Sequence, residues 1–425
     1  MPTLQKKKPE NKTSKKRVSN REEPKFTVYE HLDKIGEIPV YYGFTPSQSP
    51  SIKKIDIDQA KSLLDGDYID DEEEVRARLP LHVEEKIALL RMYQDENLYS
   101  LPQPVLLYFK EPFKGAIKKS SDYHRYCDLE VIGNSRSIAE ATLIETAKIM
   151  LAEEGYKNIC VEINSIGDKD SIARYTRDLT NFYRKNMNDM HPECRELLKK
   201  DAFDLLGCQN EKCRKLNEMA PRSMNFLSES SRQHFEEVLE YLEVLDIPYK
   251  INNHLIGNRK YCTETVFSIT NSDYDKKTAK NGEHKILAIG VRYNGLAKKV
   301  ALKRDVQGVG ISLLIKGNHA DLRKEIKKIK KPFASFVQLG FESKLLSLSV
   351  IESLRQVKIP LNLSLAKDRL GAQVSVVEKN CLPYYIIMGK KEAIDKTAIV
   401  RNIDTHAQDI VPLDELAKYM KKLER

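Results

Sequence analysis

A basic loop between two apolar segments is the first feature of this sequence that could do chemistry. Val105–Phe109 and Leu129–Ile132 are rich in β-prone residues and predict two strands. The loop between them holds more basic than acidic side chains, and its cations are Lys110, Lys114, Lys118, Lys119 and Arg125. Ammonium and guanidinium groups bind phosphate. The pattern therefore predicts an anion beneath the loop, either as a reactant or as a ligand that is only bound.

A polar segment at residues 186–225 raises the question of a metal, because it contains Cys194, Cys208 and Cys213. Structural zinc sites usually take their ligands from two tight pairs. Cys208 and Cys213 have four residues between them, no CxxC pair accompanies them, and His191 is the only nearby histidine. The spacing predicts no metal site. The chain's seven scattered cysteines favour reduced thiols over a disulfide framework.

The charge of the 425-residue chain is concentrated at its start. The net charge is +9, and residues 1–25 hold seven Lys and two Arg against three Glu. These residues lack aromatic side chains and periodicity, which predicts a disordered basic tail that either binds RNA or only solubilises the protein. No apolar run is long enough for a membrane span, and none resembles a signal peptide. These patterns predict a cytoplasmic protein.

Hydrophobic periodicity divides the rest of the chain into two regions. Residues 26–323 predict a core domain of antiparallel strands with flanking helices, including a helical insertion at about 168–247. The apolar segment 306–316 fits either a buried helix or a buried strand. The charged segment Lys324–Pro332 predicts a connector. Residues 333–425 alternate between strand and helix patterns, which predicts a small α/β domain.

Several segments, in this order, resemble the histidyl-tRNA synthetase family. They include Asn164–Gly167 (NSIG) at a strand end, the TVFSI strand, and Gly290–Leu296 (GVRYNGL), which is similar to the family's Gly-Gly-Arg-Tyr-Asp-Gly-Leu. The run from Leu370 looks like its anticodon-binding domain. The resemblance covers roughly residues 35–425. It implies an α+β class II synthetase sheet followed by an anticodon-binding-like α/β domain. It also implies a homodimer through motif 1, whose proline is Pro50 in GFTPSQSP.

The same resemblance shows departures at three sites that the family uses for catalysis. The arginine of motif 2 is replaced by Lys110 or by Lys114. The glutamate and arginine of motif 3 are replaced by Leu314 and Ile315, and the arginine of the histidine-reading loop by Gly257. The family's Arg-Pro-Glu segment corresponds to Leu79-Pro80-Leu81. Guanidinium groups at such places bind and stabilise phosphate in ways that apolar side chains cannot.

Other family positions are kept. Glu130 stands where the family's glutamate after motif 2 meets the bound histidine, and Tyr261 keeps its place in the histidine-reading loop. Arg292 and Tyr293 match the Arg-Tyr of the substrate-side strand. Arg259 is not a kept position. It lies two residues after Gly257, on the same side of an extended loop but about 7 Å away, and is an alternative source of the lost guanidinium. Each of these also fits an ordinary structural role, such as an ion pair between strands.

These observations predict a non-catalytic, RNA-binding or regulatory paralogue with a vestigial ATP pocket. The vestigial pocket would hold Lys110, Lys114, Arg125, Glu130, Arg259, Tyr261, Arg292 and Tyr293. The C-terminal cations that would contact tRNA or another RNA are Lys367, Arg369, Lys390, Lys391, Lys396 and Arg401.

Two alternatives are enzymes. One is a divergent histidine–tRNA ligase, which would need ATP and Mg²⁺. The other is a different nucleotide-using ligase on the same scaffold, with Lys110, Lys114 and Arg125 as replacements.

Overall fold

The computed structural model describes residues 26–30, 32–64, 82–116, 124–206, 208, 210–274, 285–316, 326–365, 371, 373 and 382–424. The predicted basic tail, Leu79–Leu81, Lys118 and Lys119 lie outside these ranges, as do Lys367 and Arg369. Among the described residues, no helix is long and apolar enough to cross a membrane.

Strands and helices alternate irregularly along the chain. The strands are β1 (Phe26–Glu30), β2 (Thr45–Pro46), β3 (Val105–Phe109), β4 (His124–Ile132), β5 (Ile159–Gly167), β6 (Tyr249–Ile251), β7 (Thr263–Asn271), β8 (Ile286–Arg292), β9 (Gly308–Lys316), β10 (Ile326–Lys330), β11 (Ala334–Gln338), β12 (Asn362–Leu363), β13 (Tyr384–Met388), β14 (Thr397–Asn402) and β15 (Gln408–Pro412).

The α-helices are α1 (Lys34–Tyr41), α2 (Lys54–Leu64), α3 (Val83–Asp95), α4 (Ile138–Glu153), α5 (Lys169–Lys185), α6 (Pro192–Lys200), α7 (Glu211–Asn217), α8 (Glu229–Val244), α9 (Leu296–Lys299), α10 (Phe341–Gln356), α11 (Lys390–Ile394) and α12 (Leu413–Leu423). Short 3-10 helices lie at Leu98–Ser100, Met187–Asp189, Ala202–Leu205 and Ser223–Phe226.

An eight-stranded sheet forms the centre of the larger body, in the order β2-β3-β4-β9-β8-β7-β5-β6. The pairs β2–β3 and β5–β6 are parallel, and the other neighbours are antiparallel. This arrangement confirms the predicted α+β class with an antiparallel-rich sheet. The segment that fitted either a helix or a strand is β9, because it lies between β4 and β8 in the middle of the sheet.

The two faces of the sheet have different partners. Helices α4 and α8 cover one face and share a core with alternate residues of β4 and β9, such as Leu129 and Ile311. Helix α3 covers part of the other face and packs with Leu107, Phe109 and other alternate strand residues. Because successive side chains of a strand point to opposite faces, the parity of each residue decides which helices it meets.

The helical insertion has a small core of its own. Helix α5 begins at its N-cap Asp168, whose carboxylate accepts a hydrogen bond from the Ser171 amide at 2.8 Å. Tyr175, Leu179 and Tyr183 then recur every four residues and bury one face of the helix. That face packs against α6 and α7 in a cluster separate from the central sheet.

The C-terminal region contains a second sheet, in the order β12-β11-β13-β14-β15. The prediction of a connector at Lys324–Pro332 was wrong. Residues within this segment form β10, which pairs antiparallel with β1. Hydrophobicity alone did not show a strand there, since lysines occupy most of its positions. The pairing partner comes from the far end of the chain, and it leaves Ile329 buried.

Candidate functional site

The face of the sheet beneath α3 carries a buried carboxylate. In β4, Asp128 and Glu130 share the face that α3 covers, whereas Arg125, Cys127 and Leu129 point to the opposite face. Across the sheet, Glu130 is flanked by Leu107 of β3 and by Gly310 of β9. These neighbours place a fully buried acid in the middle of the sheet.

A lysine of the chain neutralises this acid. Lys86 of α3 forms an ion pair with Glu130, and both side chains are buried. The Tyr293 hydroxyl donates a second hydrogen bond to Glu130 at 2.8 Å, and the Lys86 ammonium lies 5.8 Å from the Tyr293 ring centre. A side chain at Gly310 would overlap the Glu130 carboxylate. The Glu130 carboxylate is therefore enclosed by Lys86, Tyr293 and Gly310.

Burial controls the protonation behaviour of this cluster. Burial raises the pKa of Glu130, while Lys86 opposes that rise and Asp128 adds to it. Burial, followed by the nearby Glu130 charge, also raises the pKa of Tyr293 well above its ordinary value. Tyr293 is therefore a phenol that donates to Glu130. Asp128 accepts a hydrogen bond from the Ser312 hydroxyl on the same face.

Sequence reasoning missed Lys86. The pattern LHVEEKIALLRMY predicts an amphipathic helix, with Ile87, Leu90 and Tyr93 among the residues of its apolar face. Lys86 precedes Leu90 by four residues and Tyr93 by seven, so helical periodicity places all three on one side. A lysine on an apolar face is unusual and signals a buried partner. The spacing of Lys86, Leu90 and Tyr93 is therefore a local signal for this buried ion pair.

Arg125 and Lys110 lie on the opposite side of the sheet from Glu130. Arg125 is buried and forms an ion pair with Asp33. The Asp33 carboxylate also caps α1 by accepting a hydrogen bond from the Gly36 amide at 2.6 Å. Burial lowers the pKa of the half-buried Lys110, which feels the charges of Asp33 and Arg125. The structure thus separates both predicted phosphate contacts from Glu130. Lys114 is exposed.

Arg292 is the centre of a second buried ion network. Its guanidinium bonds both carboxylate oxygens of Glu140, with Nε–Oε1 at 2.6 Å, and donates to the Asn134 carbonyl at 2.7 Å. His234 of α8 lies 2.9 Å from the same carboxylate. Arg292 therefore joins β8 to α4 and α8 on the face opposite Glu130. It is an anchor between sheet and helices.

The segment matching the family's histidine-reading loop is held by packing. Tyr261 is buried in the apolar cluster that also contains Tyr293. Gly257 lies against Cys262, so a Cβ there would meet its Sγ at 2.7 Å. Arg259 forms an ion pair with Asp201 and lies 3.8 Å from the centre of the Phe203 ring. These contacts tie the loop to the helical insertion.

A cleft of about 720 Å³ lies between this loop and the insertion. Arg259 and Lys260 line it together with Asp201 and Asp204. Its mixed charges differ from the cation-rich surface that a triphosphate needs.

The positions assigned to motif 3 are part of a continuous strand. Leu314 and Ile315 are buried in β9, with Leu314 packing beside Tyr126 and Ile315 joining the helix-covered core. Of the two structures that the segment fitted, the strand is the one formed, since β9 continues through both positions to Lys316. Both side chains contribute to packing.

Three of the predicted RNA-contacting cations lie close together along the C-terminal domain. Lys390, Lys391 and Lys396 are exposed around α11 and the start of β14, and Arg401 is half-buried in β14. Lys390 forms an ion pair with Glu342 at 2.8 Å. An exposed pair of this kind leaves the ammonium available to solvent.

Comparison with known proteins identifies the family. A family model described as the anticodon binding domain matches residues 337–423. Histidine–tRNA ligase of Symbiobacterium thermophilum is 26% identical over 357 residues, which are 82% of this chain and 80% of that protein. The histidine–tRNA ligase of Staphylococcus saprophyticus is 27% identical over 353 residues, with 81% and 82% covered. The chain is a histidyl-tRNA synthetase-family protein.

Solved structures of the family were also found. Apo histidyl-tRNA synthetase of S. aureus is 21% identical, with 91% of this chain and 93% of that chain covered at a TM-score of 0.46. Histidyl-tRNA synthetase of Nostoc sp. PCC 7120 is 20% identical, with 93% and 95% covered at a TM-score of 0.43.

The ion pair under α3 generates a stability prediction. We expect Lys86→Met to lower the free energy of unfolding by about 3–5 kcal/mol, because Glu130 is left buried without a counter-charge. Adding Glu130→Gln should recover most of that loss, since the second change removes the charge. Urea denaturation at neutral pH measures the free energy of unfolding of the wild type, of Lys86→Met and of the double variant Lys86→Met/Glu130→Gln.

Lys215→Met is the matched control, because Lys215 pairs with Glu211 on the surface and its loss should change stability by less than about 1 kcal/mol. A single Lys86 variant as stable as wild type would contradict the assignment. So would a double variant with no recovery.

The Arg292 network generates a pH prediction. Burial alone would raise the pKa of Glu140, but Arg292 and His234 outweigh it and hold that pKa at about 2, against 4.5 when unfolded. The stabilisation is thus fully present above pH 4.5 and is lost as pH falls from 4.5 toward 2. The stabilisation from the lowered pKa of Glu140 is about 3 kcal/mol.

Glu140→Gln should be destabilised at neutral pH and should show a shallower loss of stability in that acidic window, measured by urea midpoints at several pH values. The exposed Glu236→Gln should retain the wild-type slope. Equal slopes of stability against pH for wild type and Glu140→Gln would show that the Arg292 network is not the source of the stability lost in acid.

Proposed function

We propose that this histidyl-tRNA synthetase-family protein does not form an aminoacyl-adenylate and instead binds RNA. One observation carries the first part. The acid that stands in the family's substrate pocket, Glu130, is satisfied by the chain's own Lys86 and by Tyr293. A substrate cation would have to displace a buried ammonium that has no solvent to return to, and that exchange is costly.

The positions of the arginines also argue against adenylate formation, because the candidates for binding the phosphates of ATP pair with carboxylates of the chain. Arg125 pairs with Asp33 on the opposite face of the sheet, and Arg259 pairs with Asp201 in the insertion. Packing against Cys262 leaves no room for an arginine at Gly257. Losing one donor to a developing charge typically costs 10²–10³ in rate. Several such losses together would leave negligible turnover.

The RNA-binding side rests on the C-terminal domain. The match to an anticodon binding domain covers residues 337–423, and Lys390, Lys391 and Lys396 are exposed on that domain. Exposed lysines contact phosphates and release counterions. The partner proposed here is tRNA or another RNA, and a homodimer through the motif 1 region is part of the same proposal.

A second candidate is an active, divergent histidine–tRNA ligase that uses ATP and Mg²⁺. The curated relatives favour it, because proteins named histidine–tRNA ligase match about four-fifths of this chain. The two candidates differ in one measurable property, which is histidine-dependent adenylate formation.

We expect no histidine-dependent ATP–pyrophosphate exchange from the purified full-length chain above a reaction lacking histidine. The physical reason is that Glu130 is neutralised from within and no described guanidinium faces it. The Staphylococcus saprophyticus ligase, assayed with the same reagents, is the positive control. Histidine-dependent exchange would establish the second candidate instead.

We expect the full-length chain to shift total tRNA in a gel, with an affinity that falls steeply as salt rises. Lys390→Ala/Lys391→Ala should weaken binding and reduce the slope of log affinity against log salt by about one per lost contact.

The matched control is Lys212→Ala/Lys215→Ala, which removes two exposed lysines from the insertion. If both double variants weaken binding equally, the C-terminal assignment fails. Absence of any shift at low salt would refute RNA binding.

A further inference from the structure

The helical insertion brings together three thiols that are distant in sequence. Cys194 lies in α6, Cys213 in α7, and Cys208 in the turn after the 3-10 helix Ala202–Leu205. Their three Sγ atoms all lie within 4.8 Å of one another, and Cys194 and Cys208 are 3.4 Å apart. Three separate elements must fold together to create this arrangement.

The spacing of the sulfur atoms matches a metal site. A tetrahedral zinc ion with Zn–S bonds of about 2.3 Å holds neighbouring sulfurs about 3.8 Å apart. The observed range brackets that value, so small side-chain adjustments would suffice. Cys194 and Cys213 are buried and Cys208 is half-buried, which is typical of a structural site closed to solvent.

A fourth ligand is available in the sequence beside the cluster. His191 begins the turn into α6, three residues before Cys194, so the ligands form an H-x₂-C pair and a C-x₄-C pair. The Nδ1 atom of His191 is buried without a hydrogen-bond partner among the described residues. Its distance to the Glu193 carboxylate is 3.9 Å, which is too long for a hydrogen bond. Structural zinc sites usually take their ligands from two such pairs.

We propose that Cys194, Cys208 and Cys213 bind one zinc ion, with His191 turning inward to complete a Cys₃His site. Each thiol loses its proton when it binds the metal. The ion would fasten α6 and α7 around the small core of the insertion, which has few apolar residues to hold it. This inference is independent of the proposed function.

The spacing of the cysteines in sequence predicts no metal here, because residues 186–225 contain no CxxC pair and His191 is their one histidine. The fold supplies what spacing in sequence did not, because the turn after Ala202–Leu205 brings Cys208 beside Cys194. This revises the earlier expectation into a proposal of a zinc site.

The test is the metal content of the full-length chain, which is purified without chelator and measured by inductively coupled plasma mass spectrometry. We expect one zinc per chain. Replacing zinc with Co²⁺ should give the intense absorption of thiolate-to-cobalt charge transfer. Cys194→Ser and Cys213→Ser should each lose the metal, whereas Cys160→Ser, which alters a buried cysteine in β5, should retain it.

Metal-free protein with no cobalt spectrum would overturn the proposal. So would a Cys194–Cys208 disulfide in place of metal, detected in freshly purified protein by peptide mapping. His191→Ala should bind zinc at least about tenfold more weakly in a competition with a chromogenic chelator. Unchanged affinity would overturn the assignment of His191 as the fourth ligand. Because wild-type metal content is the first readout, misfolding of a variant does not affect the outcome.

Discussion

The buried charge of Glu130 is the constraint on which the site depends. A carboxylate in the middle of a packed sheet must find a cation, because an isolated buried charge is very costly. Lys86 supplies that cation from α3, and Tyr293 completes the hydrogen bonding. The same contacts hold α3 on the sheet and close its face. Glu130, which resembles a substrate-binding residue in sequence, is therefore a buried residue with partners from the chain itself.

The parity of the strands explains why the other charged positions do not join this site. Arg125 and Arg292 point to the face that α4 and α8 cover, where each has a carboxylate partner, Asp33 and Glu140. Both arginines therefore connect the sheet to helices. A family position can keep its residue type while its side chain serves the fold, and Arg292 is an example.

The helical insertion poses a different physical problem. Its core is small and separate from that of the central sheet, so it needs a further source of stability. Arg259 connects it to the loop beside the sheet through Asp201 and Phe203. A metal held by three thiols would add a link within the insertion itself. The Arg259 contacts would thus hold the insertion to the loop beside the sheet, and the zinc ion would hold its helices to one another.

The sequence by itself determined the resemblance to the family and the α+β class, because short motifs such as GVRYNGL and the hydrophobic periodicity of strands and helices are local signals. It also located Glu130 on a strand. Only the tertiary structure decided that Lys86 meets Glu130, that β10 pairs with β1, and that three distant thiols converge. Those contacts join residues far apart in the chain, and no local pattern encodes which strand face or which helix a side chain will meet.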